Sequence, residues 1–464
     1  MNIKALFAPS DMTEGSPAKK IILFTVPMLI GNIAQQLYNT VDSIVVGKYV
    51  GDNALAAVGS AGPIFNLLLV LFVGISTGAG IMVSQYFGAK ERENLSKTIG
   101  NCITLTAIST LLIMVVAYFA VDPILNLLGT PQSIIGWCHD YLMILMMGGG
   151  GLAFYNILGG ILRGLGDSVS ALVYLLIATV INIVLDIYFV AVLGMEVAGV
   201  ALATVIAQTI SAVCCLFKLL KMREIFDLDF KVLKPEKRYT SEVIKLGLPS
   251  GLTQAIFSMA MVMVQSLTNS FGEMVIAANV IIMRVDGFAM MPNFSFGTAL
   301  TTYAGQNVGA RRFDRVEEGA RVGTYIAMGV SATITVIILI FGDILMYAFT
   351  DTAELVDLSM RMMRVLAVGY IAMAVTQCLS GVMRGAGDTM SPMWISIFTT
   401  VVVRVPLAYA IAYLTRTPEM PTGSYQCIFI SLLVSWLMGA LITYIAYHRR
   451  RWKHRAMVYN GVGK

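Results

Sequence analysis

The sequence predicts an all-α polytopic membrane protein, with twelve transmembrane helices in two six-helix bundles related by a pseudo-twofold axis along the membrane normal. Three observations lead there. Of the 464 residues, 57% are hydrophobic and only 13% charged, whereas soluble domains run near 25% charged. The loops between apolar stretches alternate between basic and acidic. Several motifs of the first half recur in the second at one constant interval. The first observation excludes a soluble enzyme, and nothing resembles the alternating strands of an outer-membrane barrel.

Apolar segments lie near 21–48, 54–86, 94–120, 132–157, 168–192, 197–220, 241–269, 275–304, 318–341, 352–379, 390–414 and 424–447. Each holds the roughly 20 residues a bilayer requires, and several are longer, so tilts or kinks are expected. The N-terminus, MNIKALFAPSDMTEGSPAKK, is polar and lacks a signal-peptide core. Loops 88–97, 218–245 and 309–315 and the tail HRRRWKHR are basic, while 120–131 and 342–352 carry Asp122, Asp343 and Asp351 without Lys or Arg. The positive-inside rule then places both termini in the cytoplasm of a multi-pass cell-membrane (inner or plasma membrane) protein. The net charge of +5 comes from those loops and is no nucleic-acid signal. The six cysteines are scattered, with only Cys214 and Cys215 adjacent, against a disulfide framework or metal site. His139, His448 and His454 are too dispersed for a metal cluster. With no nucleophile–base constellation visible, an enzyme is not expected, nor are the subunit symmetry and filter segment of a channel.

The repeat is explicit. GGILRGLGDS (159–168) recurs as SGVMRGAGDT (380–389), SQYFGAK (84–90) as GQNVGAR (305–311), and Asp122 as Asp343, all 221 residues apart. Six helices per copy means both copies enter the membrane in one sense. The expected division is a cytoplasmic N-terminus (1–20), a first lobe (21–220), a cytoplasmic linker (221–240), a second lobe (241–448) and a basic cytoplasmic tail (449–464).

The first apolar segment holds the most informative residues. Gln35, Tyr38, Asn39 and Asp42 recur at i, i+3, i+4 and i+7, one face of a helix. A carboxylate at that depth costs roughly 2.5–3.5 kcal/mol to insert, so it needs a guest or a partner. Counting from the outer helix ends, Asp186, Thr204 and Tyr141 fall at the same level as Asp42, Asn182 lies one turn deeper on the face of Asp186, and Gln208 continues the polar stripe of Thr204. Inter-helix hydrogen bonding is one reading of such groups; uptake of an ion is the other. The second copy carries Met263 or Val264, Val403 and Leu407 where the first has Asp42, Asn182 and Asp186, so the fold does not need the acids. Two carboxylates in a dehydrated place disfavour joint ionisation, which favours a shared proton; sodium is the alternative. In the second half, Arg404 and Asp286 are expected to pair, and the Arg and Asp of each R-G-x-G-D turn to tie their loop. Met259, Met263 and Met290 belong to a methionine-rich stretch of the adaptable kind that varied ligands use. Pro27 and Pro249, at matching positions, are expected hinges, and Gly148 to Gly151 a break in the fourth segment.

These residues resemble the multidrug and toxic compound extrusion (MATE) family, in its prokaryotic DinF-like branch, within a superfamily that includes lipid and polysaccharide flippases. The likeness covers about residues 15–450 and rests on Pro27 with Y-N-x-x-D at 38–42, G-x-x-R-G-x-G-D in both halves, G-Q-N-x-G-A at 305–310, and N-x-x-x-D at 182–186. It implies a monomeric secondary antiporter that exports small organic, often cationic, compounds by alternating access, among membrane lipids and without a cofactor other than H+ or Na+ as coupling ion. It also implies a cation site on Asp42, Tyr141, Asn182, Asp186 and Thr204, and a cavity lined by residues such as Gln35, Tyr38, Asn39, Gln208, Met259, Met263 and Met290. Acids that another branch places in the second lobe are replaced here by Phe257 and Met373. The alternative is a lipid-linked or polysaccharide flippase, which calls for a strongly cationic cavity; intramembrane Arg284 and Arg404 are few for that.

Overall fold

Within a bilayer every backbone polar group has to be bonded inside its own segment, so apolar stretches of this length form helices. The computed structural model describes residues 8–127, 129–418 and 420–456; the start of the 1–20 segment and the end of the 449–464 tail lie outside the described residues. The first half runs α1 (Pro17–Tyr49), α2 (Asp52–Gly88), α3 (Arg92–Leu127), α4 (Ile135–Met147), α5 (Gly149–Gly164), α6 (Ser168–Asp186) with a π-helical extension Ile187–Val192, and α7 (Glu196–Leu220). The second runs α8 (Lys237–Asn269), α9 (Glu273–Gly309), α10 (Phe313–Tyr347), α11 (Ala353–Ala367), α12 (Gly369–Gly385), α13 (Met390–Ile397) with the π segment Phe398–Arg404, α14 (Val405–Leu414) and α15 (Cys427–His448). Among the described residues, nine helices are long and apolar enough to span a membrane, and two bent pairs, α4–α5 and α11–α12, each add one span. With the 37-residue α2 these account for the twelve expected segments.

The expected glycine break is the 50° bend between α4 and α5. A side chain at Gly151 would meet Thr209 Oγ1 at 2.2 Å, so the bend brings α5 against α7. In the R-G-x-G-D turns each aspartate ties the loop by capping the next helix. Asp167 accepts from Ser170 N–H at 2.9 Å and Ser170 Oγ at 2.6 Å, and Asp388 from Ser391 N–H at 3.1 Å and its hydroxyl at 2.7 Å. Such caps contribute about 1 kcal/mol each. The second glycine of each motif, Gly166 (φ +84°) and Gly387 (φ +97°), has the left-handed conformation that the turn requires.

The described residues divide into two compact units. One holds Val26–Gly251 with the residues before Met12; the other holds Met12–Thr25 with the residues from Leu252 onward. Both divisions fall inside continuous helices, α1 beside Pro27 and α8 beside Pro249. Hydrogen bonds show why. The segment before α1 is held by the second repeat: Gln306 Oε1 accepts from Met12 N–H at 2.8 Å, and Arg312 and Arg315 donate to the carbonyls of Thr13 and Gly15 at 2.8 and 2.9 Å. The segment before α8 is held by α3: Asn101 Oδ1 accepts from Glu236 N–H, and Thr104 donates to Leu233 O, both at 2.6 Å. Each repeat's leading segment is therefore anchored in the unit built mainly from the other repeat.

In the first unit, α2 and the first half of α8 meet backbone to backbone through Gly74, Gly78, Gly247 and Gly251. A Cβ on Gly78 would lie 2.2 Å from Val243 O, and one on Gly247 would lie 2.3 Å from Gly74 O. Small residues one turn apart let membrane helices approach this closely. Gly78→Leu is expected to cost about 3 kcal/mol, since backbone atoms cannot yield as a side chain can. A melt in detergent that matches the wild type would refute this contact.

Candidate functional site

The first unit brings the predicted acids together. Asp42 projects from α1 one turn beyond Tyr38. Asn182 and Asp186 share a face of α6, whose regular α-turns persist through Asp186 before the helix widens to π geometry. Asp42 is 7% exposed, and Asn182 and Asp186 are fully buried. Oriented so that its N–H groups face oxygen, the Asn182 amide donates to Asp42 Oδ1 at 2.9 Å and to Asp186 Oδ2 at 3.2 Å. The two carboxylates also meet one another, with the Thr204 hydroxyl of α7 beside Asp42 and Tyr141 of α4 close to both acids. All five positions of the expected cation site are thus gathered in one buried cluster.

Tyr38 joins them. It is 3% exposed and sits against Asp42 and Thr204, so it belongs to the acid cluster and does not line an open cavity. The Tyr38 hydroxyl, Thr204 Oγ1 and Gln208 Oε1 are buried without an aligned hydrogen-bond partner. Buried polar atoms are ordinarily satisfied, so the two orphans beside the acids, on Tyr38 and Thr204, fit a site that admits a small guest. Two carboxylates, a carbonyl and hydroxyls are oxygen ligands of the kind hard cations take, and the same oxygens hold a proton.

The remaining predicted lining residues separate. Gln35 and Asn39 stay at the surface of α1 and contact each other at 3.5 Å, and Met259 and Met263 are 65% and 48% exposed. Gln208 is 2% exposed, and Met290 is 6% exposed within the hydrophobic core of the second unit. Met290 cannot line a cavity there: methionine fills core gaps because its unbranched chain adapts, and Met291, Met360, Met362, Met363 and Met373 are buried likewise.

In the second unit the expected Arg404–Asp286 pair is not closed. Arg404 is 5% exposed and Asp286 is half-buried beside Tyr370, yet they form no ion pair within 4.0 Å among the described residues. Arg404 Nε and Asp286 Oδ1 are both left without hydrogen bonds. The π segment explains the offset: it ends at Arg404, and its extra residue per turn shifts a side chain off the regular helical face.

Comparison with known proteins shows the family. The chain is 28% identical to the "Probable multidrug resistance protein YoeA" of Bacillus subtilis (strain 168), over 94% of each chain. It is 24% identical to the "Probable multidrug resistance protein NorM" of Thermotoga maritima, over 84% of this chain and 85% of that one. Among solved structures it superposes with TM-score 0.88 on an outward-facing "multidrug resistance MATE family transporter of the MOP superfamily", 25% identical, covering 95% of this chain and 97% of that one. The MatE family model matches residues 27–188 and again 249–410, the two copies that the sequence repeat delimits. A buried acid cluster in one copy of a duplicated twelve-span fold, and a family match over both copies, identify the chain as a member of the MatE family of membrane transporters.

Proposed function

We propose that this chain is a multidrug efflux antiporter of the cell membrane, exporting small organic, mainly cationic compounds by alternating access as a monomer with both termini in the cytoplasm. The observation that carries the reading is the Asn182 amide bridging the Asp42 and Asp186 carboxylates in full burial. The coupling ion enters there. Two carboxylates in direct contact hold a single proton between them, one oxygen donating and the other accepting, and this favours H+ over Na+ in the conformation described. Sodium, with Asn182 and Thr204 oxygens completing its shell, is the alternative. Loading removes one of the cluster's two negative charges, and α1 answers at Pro27 and α8 at Pro249, where each helix passes from one unit to the other. One charge moved across 100 mV is worth about 2.3 kcal/mol, which sustains a roughly fiftyfold cargo gradient.

The test is uptake of a fluorescent organic cation by inverted vesicles, with pH and sodium gradients imposed separately. An imposed pH gradient is expected to drive uptake at least tenfold above a sodium gradient of equal magnitude. Dominance of the sodium gradient would replace the proton by sodium, and equal uptake with neither gradient would end the antiporter reading.

A further inference from the structure

A cavity of about 740 Å³ opens in the second unit, at the end of the helices that carries the GARRFDR loop and the basic tail. It is separate from the acid cluster of the first unit, and transport as proposed uses none of its residues. Its lining changes along its length. The mouth is charged, with Asp314, Glu317, Glu318 and Arg321 from the first turns of α10 and Arg450 just past α15. The interior is Thr324 and Met328 of α10 with Val375 and Leu379 of α12. From Asp314 to Met328 the helix rises about 21 Å at 1.5 Å per residue. The cavity is therefore amphipathic along the membrane normal.

The mouth is not self-satisfied. Glu317 is taken by Lys453 and, at 3.5 Å, by Arg450. This fastens the tail as one wall, which Trp452 completes: 1% exposed, stacked on Tyr447 at 5.5 Å, with its Nε1–H donated to Tyr447 O at 3.0 Å. Asp314, Glu318 and Arg321 have no hydrogen-bond or ion-pair partner among the described residues, and all three are exposed. Deeper in, Thr324 is 9% exposed and its Oγ1 has no aligned hydrogen bond, only the Cys378 thiol beside it. Tyr325 and Tyr444, which flank the opening, are 66% and 51% exposed, aromatic rings of the kind that settle at a membrane interface.

We propose that this cavity seats one phospholipid whose headgroup carries both a phosphate and a primary ammonium, as in phosphatidylethanolamine. The phosphate lies on Arg321, with Arg450 at its edge. The ammonium donates to Asp314 and Glu318. The upper part of one acyl chain runs along Met328, Val375 and Leu379. A purely anionic headgroup would set its phosphate against two free carboxylates. A choline headgroup has no N–H for them, and an organic cation would leave Arg321 unanswered. The volume lies within the 300–1,000 Å³ of ordinary ligand pockets, enough for a headgroup and part of a chain.

The experiment is native mass spectrometry of the delipidated full-length protein after exposure to mixed micelles containing equal amounts of phosphatidylethanolamine, phosphatidylcholine and phosphatidylglycerol. One phosphatidylethanolamine is expected to be retained in at least fivefold preference. That preference should vanish in Arg321→Ala and in the double variant Asp314→Asn/Glu318→Gln, and should persist in Arg321→Lys. Thermal melts without lipid check folding: the exposed side chains at 314, 318 and 321 should leave them unchanged. Equal retention of the three lipids, undiminished retention by Arg321→Ala, or stoichiometric displacement of the lipid by a cationic dye would each overturn the proposal.

Discussion

Replacing Asp42 with Asn is expected to abolish gradient-driven export, with protein level and melting temperature held or raised. The substitution is nearly isosteric, so the packing around a side chain that is 7% exposed survives. It also removes the cost of keeping a carboxylate out of water, which is several kcal/mol for an ion in a dry interior. What is lost is exchange: an amide neither takes up nor releases the coupling cation, so the pair of carboxylates that shares it no longer exists. The cargo gradient should therefore collapse from roughly fiftyfold towards unity, the full value of one charge across 100 mV. Asp186→Asn should act in the same direction. Asn182→Leu should weaken coupling more than it weakens folding, because it removes the amide that bridges both acids. Dye uptake in inverted vesicles, normalised to protein, reads all three. Wild-type accumulation by Asp42→Asn would leave the cluster without a role in coupling.

The acid cluster was legible because two kinds of spacing determine it. Helical periodicity places Asn182 and Asp186 on one face, and distance from the helix ends places Asp42, Tyr141 and Thr204 at their height. Periodicity does not say what covers a face, however. Tyr38 was read as facing open space and is buried against Thr204, and Met290 is covered by the second unit's core. The aspartates' loop-tying role was legible, and so was the partner that they use: in each copy a serine stands three residues after the aspartate, Ser170 after Asp167 and Ser391 after Asp388, which is N-cap spacing. The anchoring of Met12 by Gln306 joins residues 294 apart in the chain, and no local pattern reports it. The repeat made the duplication visible but not the exchange of leading segments between its copies. The π segment ending at Arg404 also has no periodic signature, and it decides where that guanidinium points.

Arg404 supports a prediction opposite in sign to the usual cost of altering a buried residue. Arg404 as a whole is 5% exposed, its Nε has no acceptor, and Asp286 stands nearby with Oδ1 unpaired. A buried guanidinium and a half-buried carboxylate that do not touch bear part of their desolvation cost while recovering little of their mutual attraction. Replacing both by uncharged side chains of similar volume, Arg404→Met with Asp286→Asn, is expected to stabilise the protein by about 1–4 kcal/mol. Arg404→Met alone should fall well short of the double variant, because it leaves Asp286 uncompensated, and this coupling marks the two as interacting through the gap. Thermal melts of the four proteins complete the cycle, and dye export by the double variant reads the other half. Intramembrane charges retained against stability ordinarily serve transport, so export should fall as stability rises. A double variant that melts below the wild type would mean that the gap is solvated and the pair already satisfied. One that melts higher and exports normally would make the pair dispensable to both fold and function.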